Sequence, residues 1–140
     1  MELNINSPSY FTKQYGVIDE IYNMCRCITK HVENKQYSDL VDIVGITPII
    51  APKYIIEQGL FKQEKKCDIK YGFASVSLWI DYDEYLKADI TDKQIMIVKN
   101  ILASIKTISR KAKIDYKQFC EDIFQYCKLI NLPIESNLKV

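Results

Sequence analysis

Five carboxylates lie within twelve residues of one another near the middle of the chain: Asp81, Asp83, Glu84, Asp89 and Asp92. Paired carboxylates can act as general acid and base in catalysis. The sequence places no second group of defined geometry beside them, so catalysis is the less favoured interpretation. Two others stay open, an acidic surface that meets a basic partner and a solvated turn whose charges stabilise the next helix.

Three aromatic side chains accompany these carboxylates, namely Trp79, Tyr82 and Tyr85. Aromatic residues are enriched at protein interfaces, and opposite charge speeds and orients docking. The segment therefore predicts a surface that binds another protein. The predicted partner-binding residues are Trp79, Asp81, Tyr82, Asp83, Glu84, Tyr85 and Asp89.

The five cysteines and the single histidine do not have the spacing of a metal or catalytic site. Cys25 and Cys27 would lie roughly 200° apart around a helix. Cys120 and Cys127 share the apolar stripe of another helix, where free thiols usually pack as small hydrophobic groups. His31 falls at a predicted helix end beside charged residues, where a surface histidine is favoured. We predict reduced structural thiols, no metal and no cofactor.

The basic residues near the C-terminal end of the chain do not form a nucleic-acid motif. They lie between positions 106 and 117, with neither a glycine-rich phosphate loop nor an aromatic–basic RNA-binding pattern beside them. The net charge of +1, from 19 basic and 18 acidic residues, is too close to neutral to predict binding to nucleic acid.

The first residues lack the basic segment and apolar run of a signal peptide. The longest nearly apolar run, residues 43–51, is interrupted by Gly45, Thr47 and Pro48, whereas a membrane helix needs about 20 apolar residues. We therefore expect a cytoplasmic protein without a membrane segment.

The hydrophobic pattern predicts one α+β domain over residues 1–140, with the order β-α-β-(short α)-β-β-α-α. We expect a small antiparallel or mixed sheet of about four strands, with three main helices packed on one face. The predicted strands are a short one ending at Pro8, then 46–50, 60–70 and 73–80, with residues 39–44 ambiguous between helix and strand. The predicted helices are 17–33, a short turn at 53–58, 92–108, and one from Asp115 to before Pro133.

The strand at 73–80 has the clearest alternation in the chain. Its predicted core face is Ala74, Val76, Leu78 and Ile80, and Trp79 ends the opposite, half-exposed face. Residues 71 and 72 predict a hairpin turn into this strand. The long helix after it is predicted to begin with a capping box, in which Thr91 and Gln94 satisfy each other's backbone amides.

Residues 74–89, followed by the amphipathic helix that runs through residues 101–105, resemble small immunity proteins of bacterial polymorphic-toxin and contact-dependent growth-inhibition systems. The shared features are a strand, an acidic turn with tyrosines and a long helix. The resemblance implies an antitoxin, not an enzyme, that binds the C-terminal domain of a cognate toxin stoichiometrically. The expected toxin acts in the cytoplasm, such as a nuclease whose basic cleft would face an acidic patch.

Two other function classes stay open at the level of the residues. One is a protein-binding adaptor or regulatory subunit, which would use the same surface. The other is a small enzyme that uses Asp83, Glu84 or a tyrosine in a pocket, and it requires two such side chains to converge in a deep cleft.

Overall fold

The computed structural model describes residues 1–6, 8–10, 19–59 and 62–134 of the 140-residue chain. The strands are β1 (Glu2–Ile5), β2 (Ser9–Tyr10), β3 (Ile43–Ile46), β4 (Ile49–Ala51), β5 (Glu64–Asp68), β6 (Phe73–Ser77) and β7 (Trp79–Asp81). The helices are α1 (Asp19–His31), α2 (Lys53–Glu57), α3 (Tyr82–Lys87), α4 (Ile90–Ala112) and α5 (Tyr116–Leu129). The predicted α+β fold is confirmed.

The main sheet has the strand order β1-β3-β6-β5. β1, β3 and β6 are parallel, and β5 is antiparallel to β6. The predicted sheet of about four strands is thus confirmed in its mixed form. The β5–β6 hairpin is also confirmed, with a 3₁₀ turn at Ile69–Tyr71 and Gly72 in the left-handed conformation at φ 65°. The parallel pairs instead need long crossover connections.

Each parallel strand continues past a local break into a second sheet of three strands, ordered β2-β4-β7. Pro8 and Pro48 lie at two of these breaks, where the missing proline N–H interrupts the ladder. The third break is at Leu78, whose carbonyl accepts hydrogen bonds from the Ile49 amide at 2.9 Å and from Asn100 Nδ2 at 3.0 Å. The predicted strands 46–50 and 73–80 are therefore each divided in two.

Helices α1, α4 and α5 bury the main hydrophobic core against one face of the sheet. Ala74, Val76 and Ile80 are buried there, and Leu78 is half-buried against the same core. The predicted core face of this segment is confirmed. The largest fully buried side chains of these three helices are Ile21, Ile28, Ile97, Ile101, Leu102, Ile105, Ile108, Phe119 and Ile123.

Helix α2 lies on the opposite face of the sheet, at the carboxyl ends of β4 and β7. Its Ile55 forms a small buried cluster with Ile49 and Ala51, and Trp79 packs against that cluster. The three main helices thus share one face, as predicted, and the short helix α2 lies on the other. Strand alternation explains the arrangement, because Ile49 and Ala51 point away from the core that holds Ile50.

The long helix α4 begins at Ile90, one residue before the predicted N-cap Thr91. Its N-cap is Asp89, whose side chain accepts a hydrogen bond at 2.8 Å from the amide three residues further on. The predicted capping box of Thr91 and Gln94 is therefore wrong. Aspartate and threonine are both good N-caps, and here the extended backbone falls at the aspartate. Asp115 caps α5 as predicted.

Two predicted elements are shorter than expected. The helix predicted at 17–33 is observed as Asp19–His31, and residues 17 and 18 lie outside the described residues. The edge strand predicted at 60–70 is observed as Glu64–Asp68, and residues 60 and 61 also lie outside them. The ambiguous stretch 39–44 resolves into a bend followed by the start of β3.

Candidate functional site

The predicted partner-binding residues lie where β7 leads through α3 into α4. Asp81 is the N-cap of α3, and its Oδ1 accepts a hydrogen bond from the Asp83 amide at 3.0 Å. Asp89 is the N-cap of α4. Residues 82–87, predicted as a turn, instead form a helix held between two aspartate caps, which fixes the position of its side chains.

The outward side of this corner is acidic. Asp83 and Glu84 in the first turn of α3 are exposed, as are Asp89 and Asp92 at the start of α4. Each lies in a first helical turn or at an N-cap, where the helix dipole favours negative charge. We call the exposed carboxylates Asp83, Glu84 and Asp89 the acidic corner.

Two exposed apolar side chains that the sequence analysis missed adjoin the acidic corner. Leu86 near the end of α3 is 42% exposed, and Ile90 at the start of α4 is 40% exposed. Interfaces commonly combine apolar contacts with a charged rim. The signal available in the sequence was the placement of two large apolar residues among carboxylates, four positions apart.

The two tyrosines of the segment point inward. Tyr85 is only 1% exposed and belongs to the main core, with the Lys93 ammonium 5.3 Å from the centre of its ring. Tyr82 is half-buried and packs against the same core. The tyrosines therefore lie on the core side of this short helix, and Asp83 and Glu84 lie on its solvent side. Both tyrosines hold α3 against the domain.

Trp79 is half-buried against the cluster under α2. Its indole Nε1 donates a hydrogen bond to the Ala51 carbonyl at 2.8 Å, and its backbone amide donates to Gln63 Oε1 at 2.8 Å. These contacts join β7 to β4 and to the segment before β5. Trp79 therefore orients the strand that leads to the acidic corner.

A buried carboxylate network, which the sequence analysis missed, lies on the helical side of the molecule. Asp122 of α5 is 5% exposed and accepts hydrogen bonds from Tyr37 Oη at 2.5 Å and Gln118 Nε2 at 3.0 Å. Lys35 forms an ion pair with it at 3.4 Å. Burial acts to raise the pKa of Asp122, but these hydrogen bonds and the Lys35 charge outweigh it and hold the pKa below its usual value.

The contacts of this network are those of a structural carboxylate that is fully hydrogen-bonded and paired. Burial, with the neighbouring carboxylate, raises the pKa of Tyr37. The Tyr37 ring also packs edge-on against Phe119 with ring centres 5.4 Å apart. Every polar group around Asp122 thus serves to keep a charged, hydrogen-bonded carboxylate inside the fold, where an unpaired charge would be costly. Its residues are spread from position 35 to 122, so no local motif reveals them.

The cysteines occupy separate environments. Cys25 and Cys127 are buried, Cys67 and Cys120 are half-buried, and Cys27 is exposed. Burial raises the pKa of the Cys25 and Cys127 thiols to about 11. The predicted separation of Cys25 and Cys27 onto different helix faces is confirmed. Within the described part of the chain, no three His, Cys, Asp or Glu side chains are grouped as a metal site would require.

His31 is not the free surface residue that was predicted. It ends α1 but is half-buried against α5, with Nε2 3.1 Å from the Asp122 carbonyl oxygen and its ring centre 5.5 Å from that of Tyr126. The packing of α1 against α5 explains the difference.

The basic residues between positions 106 and 117, considered above for nucleic-acid binding, all have exposed side chains. They are Lys106, Arg110, Lys111, Lys113 and Lys117.

A groove of about 870 Å³ lies between β1 and the C-terminal end of α1. Residues of both elements line it, including Asn4 of β1 and Arg26 of α1, together with Glu33 just after α1. The predicted partner-binding residues do not contribute to this lining.

None of the helices within residues 19–59 and 62–134 has an apolar stretch long enough to span a bilayer.

A family model described as immunity protein 44 matches residues 1–128. No curated protein and no solved structure matches the chain significantly. The resemblance to bacterial immunity proteins of toxin systems, predicted from residues 74–105, is confirmed by this match. Because the match covers most of the sequence, the chain belongs to the Immunity protein 44 family.

Proposed function

We propose that this chain is an antitoxin that binds a cognate bacterial toxin in the cytoplasm and neutralises it by stoichiometric occlusion. The observation that carries the proposal is the family match over residues 1–128. Immunity protein families are generally not enzymes, and their members act through binding. The enzyme alternative is disfavoured because Asp83 and Glu84 are exposed in the first turn of a helix rather than converging in a cleft.

The acidic corner is the first contact surface we propose for the toxin. Asp83, Glu84 and Asp89 would face basic side chains, while the apolar Leu86 beside them would lose water on docking. Trp79, Tyr82 and Tyr85 pack into the domain and Asp81 caps α3, so these four would act by fixing α3 in place. A nuclease is the toxin class that fits best, because its nucleic-acid cleft must be basic.

The direct test uses the purified C-terminal domain of the toxin encoded beside this gene. We expect a one-to-one complex by sedimentation, loss of the toxin's activity in the complex, and survival of cells that express both proteins. Failure of the wild-type chain to bind or to protect would overturn the proposed function. Inhibition of a purified nuclease domain in a cleavage assay distinguishes that toxin class from others.

The double variant Asp83→Lys/Glu84→Lys tests the contact surface. Removing electrostatic steering should slow association about tenfold or more at low salt, and the difference should shrink as salt rises. The matched control is Glu33→Lys/Glu121→Lys, which changes the net charge equally at two other exposed positions. Equal association rates for the two double variants would show that the acidic corner is not a contact surface.

A further inference from the structure

Among the residues that the structure describes, α2 covers the sheet face opposite α1, α4 and α5 over β4 and β7 and leaves the main sheet uncovered. Over the main sheet the strand register aligns side chains of that face in cross-strand rows. The first row is Glu2, Ile43, Phe73 and Asp68, and the second is Asn4, Gly45, Ser75 and Lys66. Ser77 and Glu64 pair in a third row, beside Thr47 and Asn6. We call these twelve residues the open face.

The centre of the open face is apolar and accessible. Ile43 is 41% exposed and Phe73 is 37% exposed, although they are paired neighbours on two central strands. Gly45 lies two positions beyond Ile43 on the same side, and a Cβ placed on it would have no neighbour within 4 Å. The open face thus has a shallow depression beside two large apolar side chains.

Such exposure is unusual for this kind of sheet. Parallel strands normally have both faces covered, and β1, β3 and β6 are parallel. Beyond the local breaks, in the second sheet, α2 covers Ile49, Ala51 and Trp79 in the usual way. Within the described part of the chain nothing provides equivalent cover for Ile43 and Phe73, which points to a cover supplied by another molecule.

Charge indicates what that molecule is. The open face carries three carboxylates, Glu2, Glu64 and Asp68, against one basic side chain, Lys66. Its edges are therefore acidic while its centre is apolar. A second copy of this chain, docked face to face, would oppose carboxylates to carboxylates, and like-charge contacts are costly. A protein with an apolar side chain ringed by Lys and Arg would match instead.

We propose that the toxin domain docks on the open face and places an apolar side chain over Gly45, beside Ile43 and Phe73, while its basic residues face Glu2, Glu64 and Asp68. This inference rests on the proposed function and adds a second contact surface to the acidic corner. Four strands of four or five residues each, spaced about 4.8 Å apart, present roughly 300 Å². A stable complex buries about 800 Å² per partner, so the open face forms the centre of the interface rather than all of it.

The sharpest test fills the depression. A Cβ added at Gly45 would have no neighbour within 4 Å, so Gly45→Ala, Gly45→Val and Gly45→Tyr each extend a side chain from an open position, and Val and Tyr favour strands. Unfolding midpoints should therefore stay equal or rise. Affinity for the purified toxin domain, measured by calorimetry, should fall with the size of the side chain, by about 100-fold or more for Gly45→Tyr, since overfilled contacts at an interface centre are poorly tolerated.

A second variant removes apolar contact without filling space. Ile43→Thr keeps the β-branched shape that suits a strand and should weaken binding about tenfold. The control is Tyr54→Thr on α2, which removes an exposed aromatic ring outside the open face and should leave affinity within twofold. Hydrogen exchange of the complex should slow at β3 and β6, compared with the free protein.

The outcomes separate the two proposals. If the wild-type chain neither binds nor protects, the proposed function is wrong. If it binds and protects but Gly45→Tyr does so equally well, the open face is not the docking surface and the proposed function stands. If the free protein sediments as a dimer that Gly45→Tyr dissociates, a second copy covers the open face and the inference is overturned.

Discussion

Tyr37 donates a hydrogen bond to a carboxylate oxygen of Asp122, which lies 85 positions further along the chain. Tyr37 belongs to the segment between α1 and β3, and Asp122 belongs to α5. The same carboxylate accepts from Gln118 of α5 and is paired with Lys35, so one buried charge ties the segment before β3 to α5. The position of α5 therefore depends on a polar contact as well as on apolar packing.

Tyr37→Phe should lower the free energy of unfolding by about 1.5–3 kcal/mol, because it removes a hydrogen bond to a buried charge and leaves the ring in place. Urea titration followed by circular dichroism measures the change. Tyr22→Phe is the control: Tyr22 is 44% exposed, and its loss of a hydroxyl should cost less than about 0.5 kcal/mol. Similar losses for the two variants would contradict the assigned role of Tyr37.

The pH dependence of stability should reflect Asp122. Its pKa is lower in the folded than in the unfolded protein, so its contribution is complete above the ordinary carboxyl pKa of about 4 and is lost as the pH falls through the folded pKa. Asp122→Asn should therefore be destabilised at pH 7, with a deficit that narrows below about pH 4. Urea titrations across that range test this, with Glu121→Gln as control for the loss of one charge. A deficit that widens towards acid pH would contradict the low pKa.

The start of α4 offers a test of the observed N-cap against the predicted one. Asp89→Ala removes the hydrogen bond to the helix amide and should cost about 1 kcal/mol. Thr91 lies inside the helix, so Thr91→Ala should be close to neutral or slightly stabilising, given the higher helix propensity of alanine. Thermal unfolding of both variants decides between the two caps. A larger loss of stability for Thr91→Ala than for Asp89→Ala would show that Thr91 is the N-cap.

Two glycines should respond oppositely to the same substitution. At Gly72 the backbone has φ 65°, and an added Cβ would lie 2.5 Å from Asp42 Oδ2. Gly72→Ala should therefore cost more than about 1 kcal/mol, from left-handed strain and this contact. Gly45→Ala meets no atom within 4 Å and should stabilise β3 by a few tenths to about 1 kcal/mol. Chemical denaturation of the pair gives the comparison, and destabilisation by Gly45→Ala would show that its surroundings are not open.

Thiol labelling should distinguish the cysteine environments. Cys27 is exposed, whereas Cys25 and Cys127 are buried with pKa values of about 11. At pH 8 an aromatic disulfide reagent should modify Cys27 first, because thiolate is the reactive form and access is required. Cys27→Ser should remove the fast phase and leave the slow ones. A fast phase that survives in Cys27→Ser would place another thiol at the surface.

The local sequence pattern correctly predicted which face of a strand is buried, but it did not predict which strands pair with each other. The alternation at 73–80 correctly assigned Ala74 and Val76 to the core, because side-chain direction in a strand depends only on neighbours in sequence. The parallel pairing of β3 with β6 joins residues about 30 positions apart, so no short-range signal specifies it. Helix α3 was missed because its six residues form less than two turns.

The candidate site shows the same division. Composition marked residues 79–89 as aromatic and acidic, but composition does not say which side chains a short helix turns inward. Once α3 forms, Tyr85 falls on the core side and Glu84 on the solvent side. The open face was not identified either, because Ile43 and Phe73 look like ordinary strand residues until the register places them together.

The strand order β1-β3-β6-β5 has a consequence for how the chain assembles. Among the described strand pairs only β5 and β6 are joined by a short turn, while β1 must wait for β3, about 40 residues further along. Closing such loops costs chain entropy before any contact compensates for it, and this slows folding. We therefore expect the β5–β6 hairpin and α4 to form early, and the addition of β1 to be the slow step that completes the sheet in a newly made chain.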